Sequence, residues 1–162
     1  MKIKALYAGS FDPFTYGHLN IVARAAALFD EVYISVSENT SKQSLFTMDQ
    51  RIEIISSVMA QQNIQNVSVI KHSGGLTVEL ARSLGVKALV RGIRSVKDME
   101  YEMDIASMNK TQAADIETIF LMSDEKYRFI SSSLIKEVAK FDGDLNKLVP
   151  KVVLEKLQNH LQ

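Results

Sequence analysis

Apolar residues in this chain follow two rhythms in alternation. Short runs at 3–8, 32–37, 67–70, 87–90 and 116–122 are continuously apolar or alternate every second residue, as Val32, Ile34 and Val36 do. Segments near 18–29, 48–62, 76–84 and 98–112 instead repeat apolar residues at helical spacing, as Ile21, Val22, Ala25, Leu28 and Phe29 do. The first rhythm suits strands and the second suits one face of a helix. Their alternation predicts an α/β protein with helices on both faces of a parallel sheet and right-handed crossovers. Two further helices are expected near 132–140 and 150–161. The expectation is a single doubly wound domain over 1–162, with a five-stranded parallel sheet and C-terminal helices.

Boundary signals agree with this outline. Thr47-Met48-Asp49-Gln50 has the form of a capping box, followed by Ile52, Ile55 and Met59 as an inward stripe. Ser95-Val96-Lys97-Asp98 repeats that form. Gly85 follows Leu84, as past a helix C-terminus, and Pro150 stands where the last helix begins. The tail after Asp142-Gly143-Asp144 reads as a helical appendage to the same domain.

Composition narrows the setting. The 162 residues are 46% hydrophobic and 23% charged, with zero formal net charge. No global field recruits nucleic acid or an acidic membrane, so an anion site has to be built locally. Without cysteine there is no disulfide, thiolate nucleophile or thiolate-bound metal. No signal-peptide layout opens the chain and no apolar run is bilayer-length, so a cytoplasmic location is expected.

The chemistry concentrates first at Tyr7-Ala8-Gly9-Ser10-Phe11-Asp12-Pro13-Phe14-Thr15-Tyr16-Gly17-His18. This stretch joins the first strand to the first helix, at the sheet edge where open α/β folds bind ligands. A helix start offers free N–H groups and a positive dipole end, which suits phosphate. Neither the dinucleotide Gly-x-Gly-x-x-Gly fingerprint nor a Walker loop occurs, so phosphate would be held by another design.

Other polar groups fall on the same edge. Lys42 lies in a loop after the second strand, as a point charge for phosphate or a solvated lysine. Arg91-Gly92-Ile93-Arg94 closes the fourth strand, where paired guanidinium donors could grip phosphate or pair with Asp98, Glu100 or Glu102. Ser131-Ser132-Ser133 opens the helix after the fifth strand, more hydroxyls than one N-cap needs. Tyr127 and Phe129 precede it and could pack on a base or in the core. Asp12 reads as structural rather than metal-binding. His72 and His160 lack ligand partners, and Met99 and Met103 read as packing residues, at a subunit contact or within the fold.

Together, Gly9-Ser10-Phe11-Asp12-Pro13, Thr15-x-Gly17-His18, Lys42, Arg91-Gly92-Ile93-Arg94, Glu100-Tyr101-Glu102-Met103 and Phe129-Ile130-Ser131-Ser132-Ser133 resemble the bacterial phosphopantetheine adenylyltransferases. The Thr-x-Gly-His turn alone marks the wider nucleotidyltransferase superfamily. The resemblance runs nearly end to end. It implies a Rossmann-like nucleotidyltransferase fold and a cytoplasmic homohexamer. The reaction implied joins ATP and 4′-phosphopantetheine with Mg2+, giving dephospho-coenzyme A and pyrophosphate, with coenzyme A as a product-like ligand and no nucleic-acid or membrane partner.

The resemblance also implies residue roles. Ser10, Lys42, Thr77 and Arg91 would contact phosphopantetheine. Ser10, Phe11, His18, Gly92, Ile93, Arg94, Glu102, Tyr127, Arg128, Phe129, Ile130, Ser131, Ser132 and Ser133 would contact ATP. His18 would stabilise the transition state, with Lys42 and Arg91 holding the attacking phosphate. No residue would be a metal ligand, and no covalent intermediate is expected. Ser10 stands where threonine is common, Arg128 adds a charge, and Thr77 lies in a variable segment. A related enzyme with another phosphate acceptor, a class I aminoacyl-tRNA synthetase core and a non-catalytic nucleotide-binding module remain alternatives.

Overall fold

The structure, a computed structural model, describes residues 1–161; Gln162, the last residue of the expected domain, lies outside the described residues. The elements are β1 (Lys4–Gly9), α1 (Tyr16–Leu28), β2 (Glu31–Ser37), α2 (Met48–Gln61), β3 (Val67–His72), α3 (Thr77–Ser83), β4 (Ala88–Ile93), α4 (Val96–Gln112), β5 (Glu117–Met122), a short 3-10 turn (Glu125–Tyr127), α5 (Ser132–Lys140) and α6 (Lys151–Leu161). All strands are parallel, in the order β3-β2-β1-β4-β5.

The doubly wound arrangement follows from β1. Ala5 and Tyr7 join one core, with Val22, Ile55, Ile135 and Leu157 from α1, α2, α5 and α6. Leu6, pointing the other way, joins Val78, Ala81, Leu89, Ala113 and Ile116. A strand buried on both faces needs a continuous apolar run, which is what 3–8 supplies. β1 is bonded to β2 on one side and β4 on the other, so the winding direction reverses between β1 and β4. Their carboxyl ends diverge there and leave a crevice.

Some boundaries move. β4 continues past residue 90 to Ile93, because its ladder with β5 extends through Gly92–Leu121 and Ile93–Met122. The Arg91-Gly92-Ile93 segment is therefore held by main-chain pairing. α4 begins at Val96 rather than 98, with Ser95 Oγ accepting from the Asp98 N–H at 3.2 Å. The second capping box is not closed: the Asp98 carboxylate accepts from the Arg94 N–H at 3.1 Å instead. The box at Thr47 and Gln50 is complete. On α2 the buried stripe is Met48, Arg51, Ile54, Ile55, Val58 and Met59, and Ile52 is only partly buried.

Candidate active site

The β1–α1 turn places an imidazole with its proton assigned. Thr15 caps α1: its Oγ1 accepts from the His18 N–H at 3.3 Å, and its own N–H donates to His18 Nδ1 at 3.0 Å. Nδ1 is thus an acceptor, and the neutral ring carries its proton on Nε2. Phe14 stacks on the ring at 5.4 Å and Phe11 meets it edge-on at 5.0 Å. The His18 pKa is pushed down to about 3, by burial first and then by the charges of Arg94 and Arg91. The ring edge is open to the crevice, where the charge of a bound polyanion would oppose this lowering. His18 both caps a helix and presents a neutral donor.

That donor lines a cavity of about 350 Å³, whose wall includes Ser10, Phe11, His18, Arg91, Gly92, Arg94, Asp98, Glu102 and Ile130 to Ser133. Both arginines are held from α4. Glu102 receives Arg91 through Nε and Nη2, each at 2.7 Å, while Arg91 Nη1 donates to Ala8 O at 2.8 Å. Burial opposes the Arg91 charge, yet the hydrogen bonds and charge of Glu102 raise its pKa overall. Arg94 pairs with Asp98 at 3.3 Å and donates to Ile130 O at 3.0 Å. The carboxylates stand one turn apart on α4, facing Arg91 on β4 and Arg94 just past its end. Ion pairing and cavity lining thus coexist, because each guanidinium retains unused N–H groups.

The serines divide the labour at α5. Ser131 Oγ accepts from the Leu134 N–H and caps the helix. Ser132 Oγ donates to Pro13 O at 2.8 Å, fastening α5 to the first turn. Ser133 Oγ receives Lys42 Nζ at 3.2 Å. Lys42 lines a smaller recess with Ser10, Ser132 and Ser133 rather than the main cavity. Thr77 and Arg91 line a second cavity of about 240 Å³, which shares Ala8 and Gly9 with the first.

Several expected contacts sit differently. Ile93 is 1% exposed and lines none of these cavities. Tyr127, Arg128 and Phe129 are not in the main cavity wall either. Tyr127 stacks on Tyr16, Arg128 Nε donates to Arg94 O at 3.0 Å, and Phe129 faces outward. They shape the approach to α5. Both Glu102 oxygens accept from Arg91, and Glu102 also lines the main cavity. Asp12 is structural: it accepts from the Leu45 N–H at 2.7 Å and the Phe46 N–H at 2.9 Å, and pairs with Lys136 at 3.0 Å. Among the described residues, no group of three His, Asp or Glu side chains is placed to hold a metal.

Two site features escaped the sequence reading. Tyr7 lines the main cavity, and its phenol pKa is raised to about 12 chiefly by burial. Arg51, on the buried face of α2, anchors the Ser10 turn; its only sequence signal is a cation within an apolar stripe.

Comparison with known proteins places this arrangement. The sequence model of the Cytidylyltransferase-like family matches residues 6–138. A phosphopantetheine adenylyltransferase from Latilactobacillus sakei subsp. sakei (strain 23K) is 46% identical over 158 residues, covering 98% of this chain and 94% of the relative. The Plasmodium falciparum nicotinic acid mononucleotide adenylyltransferase, complexed with NaAD, matches in structure with a TM-score of 0.78 at 14% identity, over 99% of this chain and 96% of that one. At such low identity the likeness concerns the fold alone. Matched over nearly its whole length, the chain belongs to the cytidylyltransferase-like nucleotidyltransferases and, among them, to the phosphopantetheine adenylyltransferase family.

Proposed function

We propose that this chain transfers the adenylyl group of ATP to 4′-phosphopantetheine, forming dephospho-coenzyme A and releasing pyrophosphate. The observation that carries this reading is the fixed tautomer of His18 beside two tethered guanidinium groups. Such a site is suited to charge developing on a phosphoryl group.

In this mechanism ATP occupies the main cavity and the pantetheine arm the second one, beside Thr77. Arg91, common to both walls, and Lys42 hold the acceptor phosphate. A phosphate monoester oxygen is already ionised near neutral pH, so no general base is required. It attacks the α-phosphorus while the bond to the β-phosphate oxygen breaks. His18 donates through Nε2–H to the α-phosphate oxygens as charge builds there. Arg94 and the N–H groups of Ser132 and Ser133 receive the departing pyrophosphate. No covalent enzyme intermediate forms. Mg2+ carried on the triphosphate would neutralise phosphate charge.

A homohexamer in the cytoplasm is part of this proposal, with coenzyme A as a further ligand. Its support in this chain is α4, where Glu102 alone is buried while Val96, Tyr101, Met103 and Met108 are exposed. They fall in two stripes, Val96 with Met103 and Tyr101 with Met108, and exposed apolar groups of this kind suit burial against another subunit.

The test is pyrophosphate release by purified protein from ATP with 4′-phosphopantetheine, nicotinate mononucleotide or glycerol 3-phosphate. Release only with 4′-phosphopantetheine is expected. ATP binding without release for any acceptor would make the chain a binding module instead.

A further inference from the structure

Arg51 is among the largest fully buried side chains, with 1% exposure. A buried guanidinium is costly unless its donors are matched. Here they are matched almost entirely by main chain. Nε donates to Phe46 O at 3.1 Å and Thr47 O at 3.3 Å. Nη1 donates to Ser10 O at 2.8 Å and Ser37 O at 3.0 Å. Nη2 reaches Glu38 Oε1 at 3.0 Å, and the other Glu38 oxygen accepts from Ser44 Oγ at 3.1 Å.

These acceptors have a pattern. Ser37 and Glu38 open the loop that carries Lys42, while Phe46 and Thr47 close it. Ser10 belongs to the opposite bank, the β1–α1 turn. One rigid fork therefore fixes both ends of the Lys42 loop and its distance from Ser10. A hydrophobic side chain would fill the same space without aiming anything. Five acceptors spread over three segments require the planar geometry of arginine and are not served by an ammonium.

We propose that Arg51 is a positioning residue for the acceptor phosphate, setting the gap between Ser10 and Lys42 through Glu38 and the loop carbonyls. This rests on the adenylyl-transfer reading for its ligand, though the clamp has its own readout. Of the main-cavity wall, Arg51 hydrogen-bonds only Ser10, and makes no hydrogen bond to His18, β4 or α5. Disturbing the clamp therefore acts more on the acceptor than on ATP.

The experiment compares the wild type with Arg51→Lys and Glu38→Ala. Arg51→Lys should raise KM for 4′-phosphopantetheine and lower kcat, each by about tenfold, while KM for ATP stays within about twofold. Glu38→Ala, at a half-exposed site, leaves the four backbone acceptors of Arg51 in place. It should raise acceptor KM by about threefold and speed hydrogen exchange of the 39–44 amides by about tenfold. If the wild type releases no pyrophosphate with 4′-phosphopantetheine, the function fails, and exchange alone judges the clamp. Unchanged exchange in Glu38→Ala overturns the clamp. So does a parallel loss of ATP and acceptor affinity in folded Arg51→Lys, which would mark a merely structural role.

Discussion

The N–H of Thr15 donates to Nδ1 of His18 at 3.0 Å, so one hydrogen bond both starts α1 and assigns the imidazole proton to Nε2. Thr15 thereby sets the chemistry of a residue that it also caps.

The first prediction concerns turnover. His18→Ala removes a donor aimed at developing charge, so kcat should fall by roughly 10²–10³, with a smaller change in ATP affinity. The same change removes one capping hydrogen bond, worth about 1 kcal/mol of stability. Steady-state kinetics beside a denaturant melt separates the two effects. Near-normal turnover would remove His18 from the mechanism.

The second follows from the pKa of that ring. It lies at about 3 in the folded chain against 6.5 for a free histidine. Between those values the unfolded chain binds a proton that the folded one refuses. Stability is therefore lost as pH falls from about 6.5 toward about 3, and His18 adds no pH dependence above that window. Denaturant melts at neutral pH and near pH 4.5 should show a smaller acid loss in His18→Ala than in the wild type. Equal losses would place the proton uptake elsewhere.

The third concerns Arg91 and Glu102. Glu102 is 8% exposed, so Arg91→Ala strands a buried carboxylate as well as removing an acceptor contact. Breaking such a pair from one side costs about 3–5 kcal/mol, whereas an apolar replacement of both partners is often neutral. Arg91→Met with Glu102→Leu should restore much of the melting temperature lost in Arg91→Ala but none of the lost acceptor binding. Recovery of both would leave Arg91 a purely structural role.

How much of this was legible in the sequence depended on distance along the chain. The strands and helices were, because apolar spacing is local. So was the turn from Gly9 to His18, where capping and ligand-facing groups lie within one loop. The Arg91–Glu102 pair was half legible: the residues stood out, but their fork depends on the angle between β4 and α4. Arg51 was not, and Asp12 was legible as structural but not in its partners. Their partners, Ser10 O at one end and the Leu45 and Phe46 N–H groups at the other, are main-chain atoms brought close only by folding. Nothing in the identity of those residues announces a buried ion. Ile93, expected as a ligand contact, lies outside the cavity walls, because a strand motif shows which residues are adjacent and not which way each faces.

The fourth prediction uses Gly92. A Cβ there would stand 2.9 Å from Ile21 Cγ1, on the helix that carries His18. Ile21 is buried and β-branched, so it cannot swing away cheaply. Gly92→Ala should cost about 1–3 kcal/mol of stability by overpacking and lower kcat by displacing α1. Adding Ile21→Ala should recover part of the turnover. A Gly92→Ala enzyme with full stability and activity would show that α1 has slack against β4.

The last prediction separates a structural carboxylate from a metal ligand. Asp12 binds the Leu45 and Phe46 N–H groups and Lys136, leaving little to offer a cation. Asp12→Ala leaves two main-chain donors without their acceptor, at a cost of about 1–3 kcal/mol for each that stays buried. It also frees the end of the Lys42 loop. The variant should melt earlier and bind the acceptor more weakly, while the Mg2+ concentration giving half-maximal activity stays where it was. If that concentration rises severalfold while stability holds, Asp12 is reaching the metal and its place in the turn has to be read again.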